Sequence, residues 1–132
     1  MSEVKLFAKY NKEHLWARKM PDGTYKIGIT DYAQDQLGAV NYIELPEEGD
    51  AIEAGVSLGS IESGKAVSEL IAPVSGTVVR INEDAVDGPE VVNESPYEFG
   101  WLLEIEPSDW DSEYAALLDA AGYRAWLESL QA

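Results

Sequence analysis

Lys65 ends the run Gly59-Ser60-Ile61-Glu62-Ser63-Gly64-Lys65, which has the G-x-x-x-x-G-K spacing of a phosphate-binding loop. Such a loop needs a hydroxyl next, to hold magnesium, and the next residue is Ala66. It offers bare backbone N–H groups to phosphate, whereas Glu62 puts a negative charge among them. It leads into a helix whose positive end assists. Here Val67, Leu70 and Ile71 read as strand, and Pro73 follows closely. A nucleotide site is therefore disfavoured. What remains is a primary amine on a turn, open to acylation by a modifying enzyme. The plain alternative is a solvated surface lysine. Three features oppose it. The turn is framed by Gly49 and Gly55 before it and by Pro73 and Gly76 after it; Lys65 is the one base between Lys26 and Arg80; and a turn tip presents its amine with little steric obstruction.

Little other chemistry is available. The 132 residues include no cysteine, which removes disulfides, thiolate catalysis, iron–sulfur clusters and thiolate zinc sites. Any redox chemistry must be borrowed. His14 is the single histidine, too few for a histidine metal site, and a catalytic triad is disfavoured. Entering a strand, it reads first as a hydrogen-bonded structural residue and second as part of a cleft. No metal ligand set and no catalytic residue are expected.

The 25 acidic side chains outweigh nine bases, for a net charge of −16. Residues 1–26 hold six of the bases and three acids, while residues 27–132 hold three bases and 22 acids. Nucleic acid and anionic membranes are poor partners for such a chain. No apolar run approaches a membrane span, and the first residues lack the apolar core of a signal peptide. A cytoplasmic monomer forming one domain over 1–132 is the expectation. Hydrophobic content of 45% is enough for a core.

The elements that position Lys65 are mostly short strands. Leu15–Met20 and Thr24–Ile29 flank Pro21-Asp22-Gly23, a hairpin signal. Thr30 or Asp31 can cap a helix through Leu37, stopped by Gly38. Strands are expected at Val40–Leu45, Val56–Glu62, Glu69–Ala72, Gly76–Asn82 and Trp101–Glu106, with a polar connector over Glu47–Gly55 and an acidic loop region over 83–99. Alternation puts Thr77, Val79 and Ile81 on one face of their strand and Val78 and Arg80 on the other. Helical spacing returns at Tyr114, Leu117 and Leu118, and again at Tyr123, Trp126, Leu127 and Leu130. These form the buried faces of two closing helices, with Ser112 or Asp111 as a cap and Gly122 as the separator. A weak echo between Ala51–Lys65 and Pro73–Pro89 suggests two similar halves meeting at Lys65. The fold class is mainly β with α additions, a small sandwich or barrel with helices at the end.

Gly49-Asp50, Ile52, Gly55 and Leu58, then Ile61-Glu62-Ser63-Gly64-Lys65-Ala66, then Ile71-Ala72-Pro73-Val74-Ser75-Gly76-Thr77-Val78 resemble the biotinyl/lipoyl carrier fold. Biotin carriers usually flank the acceptor lysine with methionines, which Gly64 and Ala66 are not. Beyond the hairpin, Ile27-Gly28-Ile29-Thr30-Asp31-Tyr32-Ala33-Gln34 is similar to a motif of the glycine cleavage H-protein family. Leu37-Gly38, Glu44-Leu45-Pro46, Pro89-Glu90-Val91-Val92-Asn93, Ser95-Pro96-Tyr97 and Gly100-Trp101-Leu102 follow in that family's order. The resemblance spans about residues 10–130.

The resemblance implies a flattened β-sandwich, the barrel-sandwich hybrid of lipoyl domains, and a non-catalytic carrier. It implies lipoic acid amide-linked to Lys65, with Glu62, Ser63, Gly64 and Ala66 around the attachment point. It implies four partners. A lipoylating enzyme attaches the arm, and a pyridoxal-phosphate glycine decarboxylase loads an aminomethyl group onto it. An aminomethyltransferase then unloads that group, and a dihydrolipoyl dehydrogenase reoxidises the dithiol. Two positions depart from the family. Leu15 stands where a carboxylate usually helps hold the loaded ammonium, and Glu69 and Glu13 are candidate substitutes. Gly64 stands where valine is usual and is expected to loosen the turn. These departures keep two alternatives open: an H-like lipoyl carrier with another task, such as lipoyl relay or sulfur metabolism, and an unmodified interaction protein.

Overall fold

The computed structural model describes residues 2–108 and 112–131. The chain folds into two antiparallel sheets that do not close into a barrel, with short helices around them. The six-stranded sheet contains β1 (Lys9–Tyr10), β2 (Leu15–Lys19), β3 (Tyr25–Ile29), β5 (Ala51–Ile52), β8 (Gly76–Ile81) and β9 (Leu103–Pro107). Its order is β1-β2-β3-β9-β8-β5. The three-stranded sheet has the order β4-β6-β7, from β4 (Val40–Glu44), β6 (Ser57–Ser63) and β7 (Val67–Ile71). This agrees with the expected flattened sandwich.

Local sequence accounts for the first elements. Pro21-Asp22-Gly23 turns β2 into β3, with Met20 N–H donating to Thr24 O at 2.8 Å. The Asp22 carboxyl is held below its usual range by hydrogen bonds from Thr24. Trp16 pairs across strands with Gly28, and its indole lies where a Cβ would be, 2.6 Å from that position. The indole N–H donates to Ile29 O and Pro96 O. The Ile27-Gly28-Ile29 motif is thus shaped by one buried tryptophan. Helix α1 (Asp31–Leu37) begins at Thr30, whose hydroxyl accepts from Ala33 N–H, and ends at Gly38.

One core lies between the sheets and includes Leu15, Ile27, Ile29, Leu37, Ile43, Ile61, Leu70, Val78, Leu103 and Ile105. Each such side chain contributes about 1.5–3 kcal/mol by leaving water. A second cluster, with Val4, Tyr10, Trp16, Tyr97, Tyr123 and Leu127, binds the N-terminal segment to α5 (Ala120–Gln131). There Tyr10 and Tyr123 stack with centroids 4.5 Å apart, and burial pushes the Tyr10 phenol up to about 12. The outer edge of β1 is closed by Leu118, which exchanges two backbone hydrogen bonds with Tyr10.

Several expectations need correction. Residues 83–99 are not simply loop: α2 (Glu83–Asp87) and α3 (Glu90–Glu94) lie within them, each with acids in its first turn. Gly122 does not separate two helices. It is the third residue of α5, and its N–H donates to Asp119 Oδ1, so the break falls at Leu117–Asp119. Ser112 opens α4 (Ser112–Ala116), and Asp111, the other candidate cap, lies outside the described residues. Leu130 is exposed rather than on a buried face. In β8 the register shifts between Val78 and Arg80, which breaks the expected alternation: Arg80 leaves the face of buried Val78 to pair with Glu104, and Ile81 packs on the core with Val78. The last strand begins at Leu103, not Trp101, although Leu102 N–H already donates to Ile27 O on β3. The segments that frame the turn do meet: Ala51 pairs with Thr77 and Ile52 with Gly76, Gly49 N–H donates to Val78 O, and Gly55 N–H donates to Ala72 O. Among the described residues no helix is long and apolar enough to cross a membrane.

Candidate functional site

Strands β6 and β7 pair antiparallel up to Glu62 opposite Val67, and residues 63–66 make the turn. Ser63 organises it. Its N–H donates to Ala66 O at 2.9 Å, its hydroxyl donates to the same carbonyl at 3.5 Å, and it accepts from Lys65 N–H at 3.3 Å. Ser63 is buried, whereas Glu62, Gly64, Lys65 and Ala66 are exposed. The hairpin is therefore anchored from beneath by a hydroxyl, with the lysine carried on top. Strand follows the lysine directly, which removes the phosphate-loop reading.

Gly64 does not occupy the left-handed region, and a Cβ added there would meet nothing closer than Asn41 Nδ2 at 3.9 Å. The turn geometry thus does not require glycine at this position. The glycine that matters to the lysine is Gly38. Its φ of 77° and ψ of −159° lie in a region reserved for glycine. The Lys65 side chain lies over it, with Cε 3.3 Å and Nζ 3.9 Å from where its Cβ would stand. Asn93 on α3 fixes that corner. Its amide N–H donates to Gly38 O at 2.8 Å and to Gln34 Oε1, and its oxygen accepts from Val40 N–H.

The site residues named from the sequence do not all converge. Glu69 is on the outward face of the three-stranded sheet, where it accepts from Ser57 Oγ at 2.6 Å. Pairing aligns Tyr42, Glu62 and Val67 in one cross-strand row and Glu44, Ser60 and Glu69 in the next. Both rows are free of bases, so acids dominate the surface behind the lysine. Among the described residues no carboxylate is in ion-pair range of Lys65, which leaves its amine unengaged.

Leu15 is 2% exposed and belongs to the main core. A side chain at this position turns inward, so leucine satisfies the packing and a carboxylate here would be desolvated. Glu13 is exposed beside it. His14 has φ 69° and places Nδ1 2.8 Å from the Tyr123 hydroxyl, which is itself 2.7 Å from Thr30 Oγ1. Burial holds the imidazole below its usual pKa, partly opposed by Glu13. The structural reading of His14 is the one that fits. Asn11 closes this corner: Oδ1 accepts from Leu15 N–H, and the amide donates to Ile71 O at 2.9 Å.

The sequence does not mark Gly38, Asn93 or Asn11 as site residues. Gly38 read as a helix stop and Asn93 as one letter of a motif. Leu37-Gly38 and Val92-Asn93 are the available signals, but their contact is long-range and invisible to spacing.

A lipoyl arm needs an accessible amine, a rigid root and no competing ion pair, and Lys65 meets these requirements. A family model described as glycine cleavage H-protein matches residues 8–130. A glycine cleavage system H protein from Klebsiella pneumoniae subsp. pneumoniae is 49% identical over 97% of this chain and 98% of its own length. One from Anaeromyxobacter sp. (strain K) is 52% identical over 91% of this chain and 92% of its own. A crystal structure of a glycine cleavage system H protein from Mycobacterium marinum is similar with a TM-score of 0.86 and 36% identity, covering 95% of this chain and 99% of that one. On its sequence and its fold alike, the chain belongs to the glycine cleavage H-protein family.

Proposed function

We propose that this chain is the lipoyl carrier of a glycine cleavage system, with lipoic acid joined by an amide to Lys65. The observation that carries the reading is the unengaged Lys65 amine on a serine-anchored hairpin, exposed at the end of a packed sheet. The group would supply the reversible thiol–disulfide chemistry that a chain without cysteine lacks. The chain's own part is mechanical and electrostatic. Ser63 and the β6–β7 pairing fix the root, so the arm sweeps a small volume and its end is held at high effective concentration for each partner. Gly38 leaves room for the lysine methylenes beside the root. Amidation removes the lysine charge and leaves an acidic neighbourhood that favours encounter with basic surfaces, in a salt-sensitive way.

The proposed partners are a lipoylating enzyme, a pyridoxal-phosphate glycine decarboxylase, an aminomethyltransferase and a dihydrolipoyl dehydrogenase. The carrier is a cytoplasmic monomer, one non-catalytic domain over 1–132. Two measurements test this. Intact mass after incubation with a lipoate–protein ligase, ATP and lipoate should rise by one lipoyl group in the parent and stay unchanged in Lys65→Ala. The lipoylated parent should support glycine–bicarbonate exchange with a glycine decarboxylase. Lipoylation without exchange above the Lys65→Ala level would redirect the reading to an H-like carrier with another task. No mass gain would leave an unmodified interaction protein.

A further inference from the structure

The outer edge of β7 is open, next to the lysine, and its hydrogen-bonding phase can be worked out. Ser63 N–H bonds Ala66 O, so 63 and 66 form a hydrogen-bonded pair. In an antiparallel ladder such pairs alternate with non-bonded ones. With Glu62 opposite Val67, Ile61 opposite Ser68 and Ser60 opposite Glu69, Ser68 turns its backbone groups toward β6. Val67 and Glu69 turn theirs away. Two observations farther along check the phase. Ile71, two positions beyond Glu69, has its carbonyl turned outward to Asn11. Ala72 is turned inward, bonded through N–H and C=O to Val56 and Gly55.

Among the described residues β7 pairs with β6 alone. The outward groups of Val67 and Glu69, two donors and two acceptors, form a short window bounded by the Lys65 turn at one end and Asn11 at the other. Two other edges are at least partly covered: Leu118 closes β1, and Asn93 takes Val40 N–H on β4. Open edges are usually blunted by proline, lysine or brevity. Val67-Ser68-Glu69-Leu70-Ile71 contains neither proline nor lysine, and Val67 is 66% exposed.

We propose that this edge seats an extended segment of the enzyme that acylates Lys65, joined main chain to main chain as an added strand. The inference rests on Lys65 being the acylation site. Val67 is only two residues from Lys65, about 7 Å of extended chain, so a strand gripped there sits at the rim of any active site that receives the amine. An added strand takes affinity from main-chain bonds and specificity from alternate side chains. On the outward face β7 presents Val67 and Glu69, with Glu62 opposite Val67 on β6, so the incoming segment is one that carries basic side chains around an apolar one.

The test uses the apo protein and a lipoate–protein ligase. Amide hydrogen exchange at Val67 and Glu69 should slow at least tenfold when the ligase is added, while Ser68, already bonded to β6, changes little. Glu69→Pro removes an outward N–H without touching the β6 ladder, and Glu69→Ala keeps that N–H while removing the same carboxylate. The proline variant should gain lipoyl mass at least tenfold more slowly than the alanine variant. If the proline variant does not fold, exchange in the parent decides. Mass gain in the parent with both amides unprotected, or equal rates for folded Glu69→Pro and Glu69→Ala, would overturn the strand docking and leave Lys65 acylation intact. No mass gain in the parent would overturn both.

Discussion

Lys65 lies across Gly38, its Cε 3.3 Å from the point where a side chain on that glycine would begin. The contact joins the hairpin tip to the end of α1, residues 27 positions apart. It is possible because Gly38 combines a missing side chain with a backbone conformation other residues avoid. Gly38→Ala is expected to cost about 1–3 kcal/mol from backbone strain alone, read as a lower urea midpoint. It should also displace the Lys65 side chain and alter the rate of lipoyl mass gain. Unchanged values for both would show that the corner tolerates a side chain.

Gly64 offers the contrasting case. Its φ is ordinary and the space beside it is open. Gly64→Val, the residue usual in the resembling family, should change stability by no more than about 0.5 kcal/mol. Lipoylation should proceed at or above the parent rate. A loss of more than about 1 kcal/mol by chemical denaturation would mean that the turn depends on glycine after all.

Leu15→Glu tests how firmly the core holds that position. The side chain enters a cluster with Leu37 and Leu70, so an ionised carboxylate there is costly, on the order of 2 kcal/mol or more. Burial raises the folded-state pKa of such an acid above its unfolded value near 4.3. The penalty should therefore be small at pH 4 and grow as pH rises. A penalty that does not change between pH 4 and pH 7 would place the new carboxylate in water. Glycine exchange by this variant is interpretable only at a temperature where it is shown to be folded.

His14 makes stability depend on pH in the opposite sense. Burial lowers its folded-state pKa below the usual imidazole value. Where the unfolded chain binds the extra proton first, stability falls as pH falls. The imidazole contribution is therefore complete above about 6.5 and is lost progressively below it. His14→Asn suits the φ of 69° and removes the titration. The difference in Tm between parent and variant should narrow from pH 7.5 to pH 5. The comparison matters more than the parent curve, because protonating many carboxylates also relieves repulsion in this acidic chain.

What could be read without coordinates follows the range over which each signal acts. The β2–β3 turn, the Thr30 cap, the Gly38 stop and the β6–turn–β7 hairpin are local, and the chain folds them as their residues direct. β1 and β5 have two residues each, too few to show a period. α2 and α3 are five-residue helices beside Pro89 and Pro96, whose turn signals masked the helix-favouring acids Glu83, Asp84 and Glu90. Gly122 misled because glycine in a first helical turn costs less than in a helix interior, and Asp119 binds its N–H. At the site, Lys65 and Ser63 stood out because their turn is contiguous. Gly38, Asn93 and Asn11 act across sequence gaps and needed the fold to bring them into place.

The seam between Tyr10 and Leu118 has a consequence for the order in which the molecule can be made. Strand β1 leaves the ribosome long before the backbone around Leu118 that covers its edge. Until then Tyr10 also lacks the Tyr123 ring it stacks on. Closure of the β1 edge thus waits for residue 118, and a nascent chain stalled before it carries an uncovered strand exposed to chaperones and to its neighbours.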